Sequence, residues 1–234
     1  MALPKINSAP KYEITIPSTQ KTVRYRPYLV KEEKILMMAM ETQDQKQALA
    51  AIVDTIESCV EEPIERNRLT TFDVEYLFTQ IRSKSVGETA KIGMSCQECE
   101  TTNEISVPLT DVNVKNLENQ VDTIELTPEI KLKMKWPSFS DIIITEDMGT
   151  GTEQTFKLIG HCIDSVQTPT ENIRLSDETE QEVQEFIESL SSAQFNMIRE
   201  HVDKIPRMEY DIEFTCQKCN AENKVTLSGI SDFF

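Results

Sequence analysis

The sequence predicts an α+β fold made of one internally duplicated unit: a β-hairpin, then helices, then a second β-hairpin tipped by cysteines. Three observations carry that prediction. Ser95-Cys96-Gln97-Glu98-Cys99 returns 120 positions later as Thr215-Cys216-Gln217-Lys218-Cys219. Apolar and polar residues alternate on both sides of each cysteine turn, the two-residue period of a half-buried strand. Between the hairpins the apolar period lengthens to that of amphipathic helices.

In chain order, Tyr12, Ile14 and Ile16 alternate, a Pro-Ser-Thr-Gln-Lys turn follows, and alternation resumes at Val23 and Tyr25, so 11–27 reads as a hairpin. Lys31 to Thr42 and Gln45 to Val60 read as helices, the second with Leu49, Ile52, Val53, Ile56, Cys59 and Val60 on one face. A third helix opens at a Thr70 or Thr71 cap and places Val74, Leu77, Phe78 and Ile81 at i, i+3, i+4, i+7. Residues 88–109 then form a hairpin with Cys96 and Cys99 at its tip.

The second half repeats this order. Residues 122–137 read as strand, turn, strand, and Lys135-Trp136-Pro137 echoes Tyr25-Arg26-Pro27. Helical patterns follow around Phe156 to Val166, around Val183, Phe186, Ile187 and Leu190, and around Phe195 to Val202 behind a Ser191 to Gln194 capping box. The stretch 208–227 gives the second cysteine hairpin, with Asn223 matching Asn103, and Val225 and Leu227 near Ile105 and Val107. The Trp-Pro echo lies 110 positions on and the cysteines 120, which puts about ten extra residues between them, in the polar stretch 167–182. The expected units are therefore residues 1–110 and 121–234, joined by a polar segment without clear period and closing into one pseudo-symmetric body.

Composition narrows the class. With 234 residues the chain can bury one sizeable core or two small ones. Acidic residues number 40 against 24 Lys plus Arg, and a net charge of −16 repels phosphate backbones and anionic headgroups, so neither nucleic acid nor membrane is an expected partner. No stretch approaches the roughly 20 apolar residues of a membrane span, and the opening residues lack a basic segment followed by an apolar run. A cytosolic protein is expected, and in a reducing compartment paired cysteines hold metal more readily than they form disulfides.

A C-x-x-C turn presents two thiolates from one tight loop, and two such turns complete a tetrahedral Cys-four site. Cys96, Cys99, Cys216 and Cys219 are thus the candidate ligands of one zinc-ribbon-like structural zinc, which leaves no coordination position open for chemistry. Two other readings of the pairs stay open. A zinc-ribbon nucleic-acid adaptor sits badly with Glu98, Glu100, Glu104, Glu213 and Glu222 and with the absence of an aromatic platform. A thiol redox protein should open a helix after its C-x-x-C, whereas the residues after both pairs alternate like strands. Asn220 suits a positive φ after the second pair, and Glu100 suits it less. Cys59 and Cys162 sit on apolar helix faces as core residues.

No catalytic constellation is present. His161 and His201 lie in no ligand or triad pattern, Met148 to Thr152 lacks the lysine of a phosphate loop and reads as a turn, and the glutamate runs read as solvated helix faces. For partners, Ile35, Leu36, Met37, Met38 and Met40 fall within six positions, wider than one core stripe needs, which leaves core filling and an adaptable docking surface both open. Phe233 and Phe234 place apolar side chains where chains usually fray, either tucked onto their own domain or docking onto a neighbour.

At "YRPYLVKEEKILMMAME", with "ALPKI", "FDVEYLFTQIRSKSVGE" and the C-x-x-C that follows, the sequence resembles the baseplate hub family of T-even-type bacteriophages, over most of the chain and most clearly over residues 1–110. The resemblance implies a virus-encoded, non-enzymatic hub subunit or hub assembly protein of a contractile tail. It would act through contacts with other baseplate hub proteins, with the tape-measure protein a further candidate partner, as a chaperone in the host cytoplasm or as part of the virion. The resemblance assigns no site residues, and the zinc rests on the cysteines alone.

Overall fold

A computed structural model describes residues 10–42, 44–118, 122–141 and 151–233. Contacts group the chain into two compact units, one holding residues through Arg66, Phe72–Lys115 and Arg207 onward, the other Asn67–Thr71 and Asn116–Pro206. The repeat boundaries at 110 and 121 concern likeness of sequence. The grouping in space is a separate division, in which the second cysteine hairpin shares a unit with the first.

In the first unit, β1 (Tyr12–Thr15) and β2 (Thr22–Tyr25) pair antiparallel with Ile14 opposite Val23, and the alternation turns Ile14, Ile16, Val23 and Tyr25 inward. Buried Asp73 fixes their turn by accepting the Ser18 N–H at 2.8 Å. Helices α1 (Val30–Glu41), α2 (Gln45–Cys59) and α3 (Thr71–Ser85) follow. Glu32 starts α1 by accepting the Leu29 N–H at 2.9 Å and pairing with Arg26 at 2.8 Å. Burial opposes its charge, yet these partners and Lys31 hold its carboxyl below the usual range. Asp44 caps α2 by accepting from Lys46 and Gln47, satisfying donors that the first turn leaves orphaned. The α3 stripe of Val74, Leu77, Phe78 and Ile81 is buried as its spacing requires.

Three further strand pairings complete this unit. Strands β3 (Thr89–Ser95) and β4 (Thr102–Pro108) form one hairpin, and β10 (Arg207–Thr215) and β11 (Glu222–Ser228) the other. The polar segment between the expected units, which shows no clear period, holds β5 (Asn113–Lys115), which joins β10 with Val114 opposite Met208. Three residues are too few to display a period, so only the partner reveals this strand. Ala90, Val107, Leu109, Val112, Met208, Ile212 and Leu227 pack as its core.

The second unit is a four-stranded antiparallel sheet, β6 (Thr123–Glu125), β7 (Lys131–Met134), β8 (Ile163–Gln167) and β9 (Asn172–Arg174) in that order, with α4 (Gly151–His161), α5 (Glu180–Glu188) and α6 (Ser192–Val202). Here the sequence expectations need correcting. The helix expected to run to Val166 stops at His161, and Ile163–Gln167 is a strand between β7 and β9. Ile159, Cys162, Ile163 and Val166 satisfy helical spacing, but β7 has a second edge whose backbone groups need partners, and these residues supply them. Gly151 and Thr152 open α4 rather than continuing a turn, while residues 148–150 lie outside the described residues. The polar stretch 167–182 holds β9 and the Thr179 to Glu182 capping box of α5. The Ser191 to Gln194 box of α6 forms as its pattern requires. Among the described residues no helix is long and apolar enough to cross a membrane.

Candidate metal centre

The cysteine turns are built alike. In the first, Ser95 pairs with Thr102, the Cys96 N–H donates to Thr101 C=O at 2.9 Å, and the Glu100 N–H donates to Cys96 C=O at 2.9 Å. In the second, Thr215 pairs with Glu222, the Cys216 N–H donates to Ala221 C=O at 2.9 Å, and the Asn220 N–H donates to Cys216 C=O at 3.0 Å. Each turn reverses through one residue of positive φ, Glu100 at 56° and Asn220 at 58°. Asparagine takes that conformation readily, and glutamate takes it at a cost of order 1 kcal/mol. Glu100, the less suited residue, nonetheless occupies it.

All four sulfurs lie within 4.8 Å of one another. Short separations run between the hairpins, Cys96 Sγ to Cys219 Sγ at 3.6 Å and Cys99 Sγ to Cys216 Sγ at 3.7 Å. A disulfide needs about 2.05 Å. A metal–sulfur bond of about 2.3 Å in a tetrahedron sets its sulfurs about 3.8 Å apart, so the spacing and the all-thiol donor set fit one soft, four-coordinate ion. Cys96 and Cys216 are buried, Cys99 is half-buried and Cys219 is exposed. The amides of Cys219 and Lys218 pull the Cys216 thiol down to about 6. Burial works against the same effect at Cys96, where the Cys99 and Glu98 amides still lower it. An ion bound by all four would tie the two hairpins together and leave no open coordination position.

Two asparagines cross between the hairpins, and both are buried. Asn103 of β4 accepts the Gln217 N–H at 2.9 Å and directs its Nδ2 at Cys216 Sγ, 3.7 Å away. Asn223 of β11 accepts the Gln97 N–H at 2.9 Å and directs its Nδ2 at Cys96 Sγ, 3.6 Å away. Sequence reasoning matched these residues as repeats but gave them no role. The available signal was their equal place, four residues after the second cysteine of each pair.

The other candidates fall elsewhere. On α1, Leu36 and Ala39 face inward with Glu32, while Met37 and Met38 stand 59% and 57% exposed and Met40 and Ile35 are exposed beside them. Sequence reasoning missed Val30, which is 78% exposed and extends that apolar surface. Phe234 lies outside the described residues, as does the side chain of Phe233. His161 sits 3.2 Å from Asp141, and burial and Lys204 lower His201, so both belong to the packing of the second unit. Burial pushes the thiols of Cys59 and Cys162 up to about 11 and about 12, as inert core residues require.

A family model described as T4 bacteriophage base plate protein matches residues 9–234. No curated protein and no solved structure matches the chain.

Proposed function

The chain belongs to the T4 bacteriophage base plate protein family, and from that premise we propose that it is a non-enzymatic hub subunit or hub assembly protein working through contacts with other baseplate hub proteins. The observation that supports this reading is α1, which turns Val30, Met37 and Met38 to solvent while Leu36 and Ala39 pack beneath. A helix that is apolar on both faces keeps one for its own core and offers the other to a subunit that covers it. Methionine suits such a face because its unbranched side chain refits to different partners. Phe233 and Phe234 supply a second contact, and the tape-measure protein is a further partner. The protein acts in the host cytoplasm during assembly and in the tail baseplate.

In this reading the four cysteines hold one structural zinc, which supplies no chemistry beyond tying the two hairpins into one rigid piece. The halves descend from one duplicated unit. The matching positive φ at Glu100 and Asn220, and the matching reach of Asn103 and Asn223, support that origin.

Baseplate assembly with purified subunits tests the docking surface. Wild-type protein should co-sediment with its hub partners, and a Met37→Ser, Met38→Ser double variant should remain folded yet stay in the supernatant. Incorporation of that variant at wild-type levels would remove α1 from the mechanism. Mass spectrometry of the purified chain should find about one zinc per molecule, and a metal-free, stable protein would remove the zinc.

A further inference from the structure

We infer that Asn103 and Asn223 are positioning residues that lock the two cysteine turns against each other, each asparagine serving the hairpin opposite its own. The inference deepens the metal reading and rests on it where metal affinity is concerned. A side-chain amide has one acceptor oxygen and two N–H groups, and burial penalises any that go unpaired. Here the amide positions are occupied in the same way twice. Oδ1 of Asn103 takes the backbone N–H of Gln217, and Oδ1 of Asn223 takes that of Gln97, each at 2.9 Å. One N–H holds the asparagine's own loop, donating to Thr101 C=O at 2.8 Å for Asn103 and to Ala221 C=O at 3.0 Å for Asn223. The second N–H is left for the sulfur across the interface, Cys216 or Cys96. Because the backbone donors claim the oxygens, the amide nitrogens must be the groups that face sulfur.

This arrangement does two things for four thiolates around one dication, which together keep a net charge of −2. The N–H groups aimed at the two buried sulfurs, Cys96 and Cys216, offset part of that charge where water cannot. The bonds to Gln97 and Gln217 fix the facing turn, so the sulfurs are held near their binding positions before the metal arrives. Asn→Asp at either position keeps an acceptor for the facing backbone N–H and replaces the whole amide nitrogen with a carboxylate oxygen, which removes the donor at sulfur together with the donor to Thr101 or Ala221 C=O.

Full-length wild-type, Asn103→Asp and Asn223→Asp proteins should be titrated with cobalt(II), following the thiolate-to-cobalt absorption, and then competed with a chelator. Each variant should keep its far-ultraviolet circular dichroism and bind cobalt about 10–100-fold more weakly. Equal affinity in wild type and variants overturns the inference while the metal reading stands, whereas a wild-type protein without cobalt bands defeats the metal reading itself. Residue-resolved amide exchange on the metal-free chain judges the lock without the ion. Asn223→Ala should speed exchange at Gln97 about tenfold and spare Gln217, and Asn103→Ala should do the reverse. This crossed pattern upholds the lock, and protection that is absent, unchanged or lost at both sites together overturns it.

Discussion

If the cysteine centre holds a structural ion as proposed, removing that ion should lower the melting temperature by roughly 8–16 °C. The ion would join Cys99 to Cys216, which are 117 residues apart. In the chain-entropy model, a cross-link closing a loop of that size is worth about 4–5 kcal/mol, because it removes conformations from the unfolded chain. A structural metal at about 1,000 times its Kd stabilises by a similar 4 kcal/mol. Without it, the cross-hairpin bonds from Gln97 and Gln217 remain, at about 1 kcal/mol each. A bound ion would therefore supply most of the tie. A chain of this size shifts by about 2–4 °C per kcal/mol, which turns about 4 kcal/mol into the stated range. Differential scanning calorimetry should compare the protein as purified, after chelation and after zinc is returned, with metal content measured each time. A Cys96→Ser, Cys216→Ser double variant should melt low and ignore both treatments. Zinc-loaded and stripped wild-type proteins that melt within about 1 °C of each other would refute the reasoning.

Leu132 has no exposed surface at the centre of the second unit's core, so Leu132→Ala should cost about 2–5 kcal/mol in urea unfolding. The double change Met37→Ser, Met38→Ser should instead leave stability within about 0.5 kcal/mol while assembly is lost, because those side chains bury little in the chain itself. Burial lifts Glu75 to about 7 even though it accepts the N–H groups of Met208 and Ile230. Its folded-state value lies above the unfolded one of 4.5, so its contribution is fully present below about pH 4.5 and is lost as the pH rises through about 7. Glu75→Gln should escape that loss. Its stability relative to wild type should grow by up to about 3 kcal/mol across this window in denaturant titrations, and a difference that is flat with pH would contradict the assignment.

Much of this fold could be read from local pattern, and the failures share a cause. The β1–β2 turn, the α3 stripe and the Ser191 box follow from contacts a few residues apart, which leave periods and caps in the sequence. Strand β5 left no such record because three residues carry no period. Strand β8 was misread because its apolar spacing satisfies a helix equally well, and an open backbone edge on β7 decided the matter. The asparagines showed only as a repeated letter, since their partners belong to the hairpin 120 positions away.

The sequence by itself determined the chemistry of this protein: two thiol pairs on hairpin tips, an acidic balance that repels phosphate, and a helix too apolar for one core stripe. Those properties belong to residue types and their spacing. Only the tertiary structure decided that the four sulfurs meet, that Asn103 and Asn223 reach across to the opposite turns, and that Met37 and Met38 face outward while Leu36 faces in. Each of those outcomes depends on which distant backbone edges and apolar faces satisfy one another, and no local period records that.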